Sequence, residues 1–209
     1  MKTVLCFGDS NTWGSNPATG ERYPRDVRWP GVLRAALGGE YEVIEEGMPG
    51  RTTVFEDPLE PYKRGKDYLP PCLRSHAPLD LVIILLGTND VQMRYSASAL
   101  DIALGCDALI GLVESSNAGP EGIAPDILLV APPPIKPIPE PWDESFVGAE
   151  EKSRRLAEHY RRIAETRSCA FLDAGGHIAS SDEDGVHWEA SEHAKLGKAL
   201  APEVRRLIG

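Results

Sequence analysis

The sequence predicts a three-layer α/β/α sandwich built around a five-stranded parallel sheet. Three observations predict it. Five short apolar runs are continuous rather than alternating, as strands covered on both faces are. Amphipathic helical stretches fall between them, which makes βαβ units. Polar, glycine-bearing loops follow several runs at the edge where open α/β sheets place their chemistry. In chain order the expected strands are Val4–Phe7, Tyr41–Ile44, Leu81–Leu86, Ile127–Val130 and Ala170–Leu172. The expected helices are Trp29–Leu37, Ala99–Val113, Glu150–Thr166 and Ala190–Ile208, the last open to a kink or split at Pro202. Two segments resist the scheme. Thr53–Pro71 is rich in proline, charge and tyrosine, and Pro132–Trp142 (PPPIKPIPEPW) reads as a semi-rigid extended loop on the carboxyl edge of the sheet.

Composition narrows the function. At 209 residues, with no internal repeat or break in composition, the chain is expected to be one domain, residues 1–209. Its 32 acidic against 22 basic residues give a net charge of −10, which argues against nucleic acid or an anionic membrane as partner. The longest apolar run is too short to span a bilayer, and no signal-peptide core follows Met1. Four dispersed cysteines, Cys6, Cys72, Cys106 and Cys169, form neither a zinc motif nor a disulfide framework. These features set the expectation of a cytoplasmic protein that holds no cofactor and no metal.

The chemistry lies in four loops. Gly8-Asp9-Ser10-Asn11 follows the first strand, Glu45-Glu46-Gly47-Met48-Pro49-Gly50 the second, and Gly87-Thr88-Asn89-Asp90 the third. Asp184-Gly185-Val186-His187 lies between the fifth strand and the last helix. A serine hydroxyl attacks only with a base in reach. His187 has the right intrinsic pKa for that base, and Asp184, three residues upstream, is placed to orient it. The oxyanion formed on attack needs preorganised donors. Candidates are the Ser10 amide, the Gly47 amide and the Asn89 side chain. Asp173, at the end of the fifth strand, competes with Asp184 as the orienting acid.

CFGDSNTWG, EEGMPG, LGTND and DGVH, in that order, resemble the four sequence blocks of the SGNH (GDSL-type) hydrolase family. Flanking text such as DVRWPGVL and VAPPP is most similar to the small bacterial arylesterase and acyltransferase subgroup. The resemblance implies the flavodoxin-like SGNH hydrolase fold, with Ser10, Asp184 and His187 as catalytic triad and Ser10, Gly47 and Asn89 as oxyanion hole. It implies a carboxylic ester hydrolase acting on short-chain acyl or aryl esters through an acyl-enzyme. Acyl transfer to alcohols, and perhydrolysis, belong with that chemistry, as does assembly into a homo-oligomer. The same triad would serve a deacetylase of acetylated carbohydrates or a thioesterase. Where members of the family often carry asparagine in the second block, this chain has Glu45.

The rival classes are weaker. A metallophosphoesterase would carry histidines near positions 11 and 90, where Asn11 and Asp90 stand. Asp9 and Asp90 then serve as loop braces. A non-catalytic binding module would leave the triad unexplained. Trp13, Met48, Ile135 and Val186 are the expected substrate-pocket residues, from their nearness to the site loops. His193, within the last helix, is expected at the surface.

Overall fold

A computed structural model describes all residues, 1–209. The strands are β1 (Lys2–Gly8), β2 (Tyr41–Gly47), β3 (Leu81–Leu85), β4 (Asp126–Ala131) and β5 (Ala170–Asp173). They form one parallel sheet in the order β2-β1-β3-β4-β5. The helices are α1 (Ser10–Trp13), α2 (Trp29–Leu37), α3 (Gly65–His76), α4 (Ala99–Glu114), α5 (Ala149–Arg154), α6 (Leu156–Arg167) and α7 (Ala190–Ile208). The chain reverses direction across the sheet between β1 and β3, where crossovers leave to opposite sides and open a crevice.

Strand alternation explains why the apolar runs are continuous. Leu5, Phe7, Val82 and Ile84 face a core shared with α3, α4 and α6. Val4, Cys6, Leu81, Ile83 and Leu85 face a second core shared with α2 and α7. Both faces are buried, so every position favours an apolar residue. All four cysteines are unpaired; three are buried and Cys169 is half-buried.

Three helices differ from the sequence reading or settle what it left open. Gly65–His76 is a helix, although it falls partly in a segment read as irregular and contains Pro70 and Pro71. The prolines remove two amide donors, but burial of Leu69, Cys72 and Leu73 against the core holds the turns together. The helix expected over Glu150–Thr166 breaks at Arg155 into α5 and α6. At that break the Ser153 hydroxyl accepts from Ile135 N–H (3.1 Å), tying α5 to the proline-rich loop. Pro202 leaves α7 unbroken.

His193 is not at the surface but fully buried. Its Nδ1 accepts from Trp29 N–H (3.3 Å), and its ring lies 5.5 Å from both Trp188 and Tyr23. Burial, with the positive charges of His187 and Arg28, pushes its pKa down to about 3. The fold therefore keeps His193 neutral, whereas the unfolded chain protonates it below about 6.5. Its contribution to stability is present above that value and is lost as pH falls toward the folded value. Replacing His193→Gln is expected to lower Tm at pH 8, with the gap from wild type narrowing at pH 5. A gap independent of pH in thermal melts would contradict the buried, neutral ring.

Candidate active site

The Ser10 turn begins where β1 ends. Asp9 caps α1, its carboxylate accepting from Asn11 N–H (2.9 Å). This one-turn helix holds Ser10 in a tight bend whose hydroxyl reaches His187. Ser10 Oγ and His187 Nε2 are 2.9 Å apart, and His187 Nδ1 lies 2.5 Å from Asp184 Oδ2. The other Asp184 oxygen accepts from the amides of Val186 (2.9 Å) and His187 (2.8 Å). Burial works to raise the Asp184 pKa, but the bond and charge of His187 and the two amides hold it below the usual carboxylate range. An ionised Asp184 fixes the proton on Nδ1 and leaves Nε2 as the base toward Ser10. Asp173 takes no part: its carboxylate accepts from Gly175 N–H.

The proline-rich loop locks this arrangement. Lys136 N–H donates to Gly185 O (2.8 Å). Gly185 has φ +75°, and a Cβ there would lie 2.7 Å from both Ile138 Cδ1 and Pro137 O. Asn11 Nδ2 donates to Val186 O (3.4 Å), joining the serine turn to the histidine loop.

Asn89 follows β3 and is mostly buried. One of its amide hydrogens is donated to Arg51 O (3.0 Å), which orients the group. Behind it, the fully buried Tyr160 hydroxyl donates to Leu86 O (2.8 Å) and fills the space a Cβ on Gly87 would need. Asp90 accepts from Thr53 N–H (2.8 Å) and from the Thr53 hydroxyl. Asp9 and Asp90 thus brace loops, and burial raises both carboxyls to about 6.

Gly47 sits differently from its expected role. It stands level with Gly8 in the parallel ladder, and Met48 N–H donates to Gly8 O (3.1 Å). In such a ladder Gly8 bonds the residues on either side of its partner, so the Gly47 amide points away from β1 toward the open edge. Gly47 must be glycine for another reason: a Cβ would lie 2.1 Å from Trp13 N. Three residues on, Arg51 N–H donates to Met48 O (3.1 Å), closing a turn with Pro49 and Gly50 at its centre. Gly50 has φ +75°, as the third position of a type II turn requires. The Gly50 and Ser10 amides have no hydrogen-bond partner in the protein. Register and turn geometry carry this distinction, so the sequence pattern alone missed Gly50.

Glu45 also gains a role. Its buried carboxylate pairs with Arg34 (2.9 Å), Arg28 (3.1 Å) and Arg25 (3.2 Å), pinning α2 and its approach to β2.

A cavity of about 280 Å³ opens beside the triad, lined by Asn89, Ile138, Pro139, Trp142, Phe146, Asp184, Val186 and His187. Of the expected pocket residues, Val186 lines it. Ile135 is buried in the core instead, and Ile138, one turn of the loop further on, takes its place. Trp13 lies under the Arg22 guanidinium, and Met48 belongs to the second-block turn; neither lines this cavity. A larger hollow of about 480 Å³ lies at the far end of the sheet between the chain termini, and no triad residue reaches it.

Residues 6–194 match the GDSL-like Lipase/Acylhydrolase family. The chain belongs to this family. It is a carboxylic ester hydrolase. The solved native aryl esterase of M. smegmatis is 46% identical, with a TM-score of 0.95 over 99% of this chain and 100% of that one. Est24, a carbohydrate acetylesterase from Sinorhizobium meliloti, is 42% identical, with a TM-score of 0.96 and the same coverage. An uncharacterized lipoprotein of Bacillus subtilis (strain 168) is 40% identical over 50 residues, which are 24% of this chain and 20% of that protein. No helix here is long and apolar enough to cross a membrane.

Replacing Asp184→Asn is expected to lower kcat by about 10³–10⁴-fold, because the imidazole loses its orienting anion. Asp173→Asn is expected to stay within about threefold of wild type, the level of a substitution outside the site. Steady-state kinetics decide between them, and a larger loss in the Asp173 variant would reverse the assignment.

Proposed function

We propose that this chain is a one-domain serine esterase preferring small aryl or short-chain acyl esters, and that it also transfers the acyl group to alcohols. The observation that carries the substrate reading is the cavity beside His187. Ile138, Pro139, Trp142, Phe146 and Val186 give it apolar walls, and its polar lining consists of Asn89, Asp184 and His187. All three are engaged in catalysis in this reading. That leaves little to hydrogen-bond the hydroxyls of a sugar, whereas one aromatic ring fits the volume and the walls. The similarity to an aryl esterase supports the same choice.

In the reaction, His187 Nε2 takes the Ser10 proton as Oγ attacks the ester carbonyl. The oxyanion forms against Ser10 N–H, the free Asn89 amide hydrogen and, in place of Gly47, the Gly50 N–H. His187 then returns the proton to the departing alcohol, leaving an acyl group on Ser10. Water, activated by the same imidazole, releases the acid. An alcohol held by the apolar walls competes with that water and gives a new ester, and peroxide would give a peracid by the same route.

Four unpaired cysteines accord with a reducing, cytoplasmic setting. Exposed apolar side chains, Leu100 and Leu104 one turn apart on α4 together with Met93, Trp142 and Val147, support assembly of several copies.

The test compares kcat/KM for phenyl acetate and an acetylated xyloside, with benzyl alcohol added in a second series, on enzyme whose mass is measured by light scattering. Phenyl acetate is expected to be favoured by at least about tenfold, the scale of apolar-pocket discrimination. Benzyl acetate is expected alongside acetic acid. Preference for the xyloside would reverse the substrate reading, acid alone at high alcohol would remove acyl transfer, and a mass of 22.7 kDa would remove the oligomer.

A further inference from the structure

We propose that Arg51 is a positioning residue of the oxyanion pocket: it clamps the ends of β1 and β2 so that the oxyanion donors converge beside Ser10. The proposal rests on the serine-esterase reading and adds a residue to it.

Arg51 is 2% exposed, and its guanidinium makes no salt bridge with any carboxylate. A buried cation without a carboxylate partner costs on the order of several kcal/mol in lost hydration. What it gains instead is specific. One nitrogen, Nη1, donates to the carbonyls of Gly8 (2.8 Å) and Glu46. The guanidinium carbon lies 4.3 Å from the centre of the Phe7 ring and 5.0 Å from that of Tyr68, at the corner of a triangle whose third side is the 6.4 Å between these two stacked rings. Phe7 belongs to β1 and Tyr68 to α3, so the group packs against rings from two elements.

These contacts lead to every proposed donor. Gly8 stands two residues before Ser10, and its carbonyl also accepts from Met48 N–H, which starts the turn carrying Gly50. Gly50 is bonded directly to Arg51 in the chain. The Arg51 carbonyl accepts from Asn89 Nδ2, which directs the other amide hydrogen of Asn89. The side chain therefore ties the ends of β1 and β2, while the main chain of the same residue holds Asn89 and continues from Gly50, so Arg51 links loops that follow three different strands. Its positive charge, held where dielectric screening is weak, also favours the negative charge that develops on the attacked carbonyl.

The neighbourhood excludes a simpler role as part of a metal site. Glu46, Cys72 and His76 bring ligand-type atoms within 4.8 Å of one another. However, His76 Nε2 (2.8 Å) and the Tyr68 hydroxyl (3.1 Å) already occupy the two Glu46 carboxylate oxygens.

A lysine reproduces only part of the clamp: its ammonium can donate to both carbonyls, as the single Nη1 does, but it lacks the planar guanidinium that packs against the Phe7 and Tyr68 rings. The test uses Arg51→Met, Arg51→Lys and Tyr68→Leu with p-nitrophenyl acetate as substrate and phenylboronic acid as a tetrahedral analogue. For Arg51→Met, kcat is expected to fall about 10²-fold with KM within about threefold of wild type. Affinity for phenylboronic acid should fall by the same factor as kcat/KM. Arg51→Lys should recover part of kcat. A folded Arg51→Met enzyme with kcat within about threefold of wild type, or with KM raised and kcat unchanged, would overturn the proposal. If Arg51→Met does not fold, Tyr68→Leu decides: it keeps the guanidinium but removes one of the two rings packed against it, and kcat should fall about 3–10-fold at constant KM. An unchanged kcat there also overturns the proposal. Organophosphonate labelling of wild-type Ser10 separates the two levels of inference. Labelled Ser10 with unaffected Arg51 variants defeats the clamp alone, and unlabelled Ser10 defeats the serine reading on which the clamp rests.

Discussion

Gly8 stands level with Gly47 on one side and Leu85 on the other, and the site depends on that alignment. It brings the ends of three parallel strands into line. The loops that follow them then open onto one crevice, although Ser10, Gly50 and Asn89 are far apart in the chain. The alignment leaves no room for side chains at the crossing. A Cβ on Gly8 would lie 2.0 Å from Thr12 Oγ1, and one on Gly47 would run into the backbone of α1. Two glycines therefore let the short helix carrying Ser10 lie directly over the strand ends. The same requirement stops both strands where the chemistry begins.

Charge is distributed around this crevice with a clear division of labour. Asp184 is held ionised by the amides and imidazole that surround it, so it can orient His187. Asp9 and Asp90 are buried more deeply, and their carboxyls are displaced upward to about 6. They serve as hydrogen-bond acceptors for loops rather than as partners in proton transfer. Arg51 holds a positive charge against the carbonyls of Gly8 and Glu46. In a chain of net charge −10, these few buried groups, and not the overall balance, set the electrostatics of the reacting atoms.

Much of this was legible in the sequence because it is local. Continuous Val/Ile/Leu runs announced the strands, and Trp29–Leu37 and Ala190–Ile208 coincide with the helices observed. The Asp184–His187 spacing fits one tight loop, and the structure brings that pair to Ser10. What escaped was non-local. Which glycine amide faces the crevice depends on the register of β2 against β1, so Gly47 looked like a donor while its amide points away. Arg51 carries no role in the sequence reading because a buried cation is visible only once its partners, the carbonyls of two strand ends, are in place. His193 looked exposed because the three aromatic residues enclosing it come from separate parts of the chain. Ile135 and Ile138 differ by one turn of an extended loop, and only packing decides which of them meets the substrate.

The central claim is that Ser10, activated by His187, forms a covalent bond to the substrate without help from a metal. The most direct measurement is covalent labelling with an organophosphonate, mapped by mass spectrometry, in the presence and absence of a chelator. The account predicts one adduct per chain, on Ser10, formed at the same rate under both conditions and coincident with loss of esterase activity. An unmodified Ser10 in inactivated enzyme, or activity abolished by the chelator alone, would contradict it.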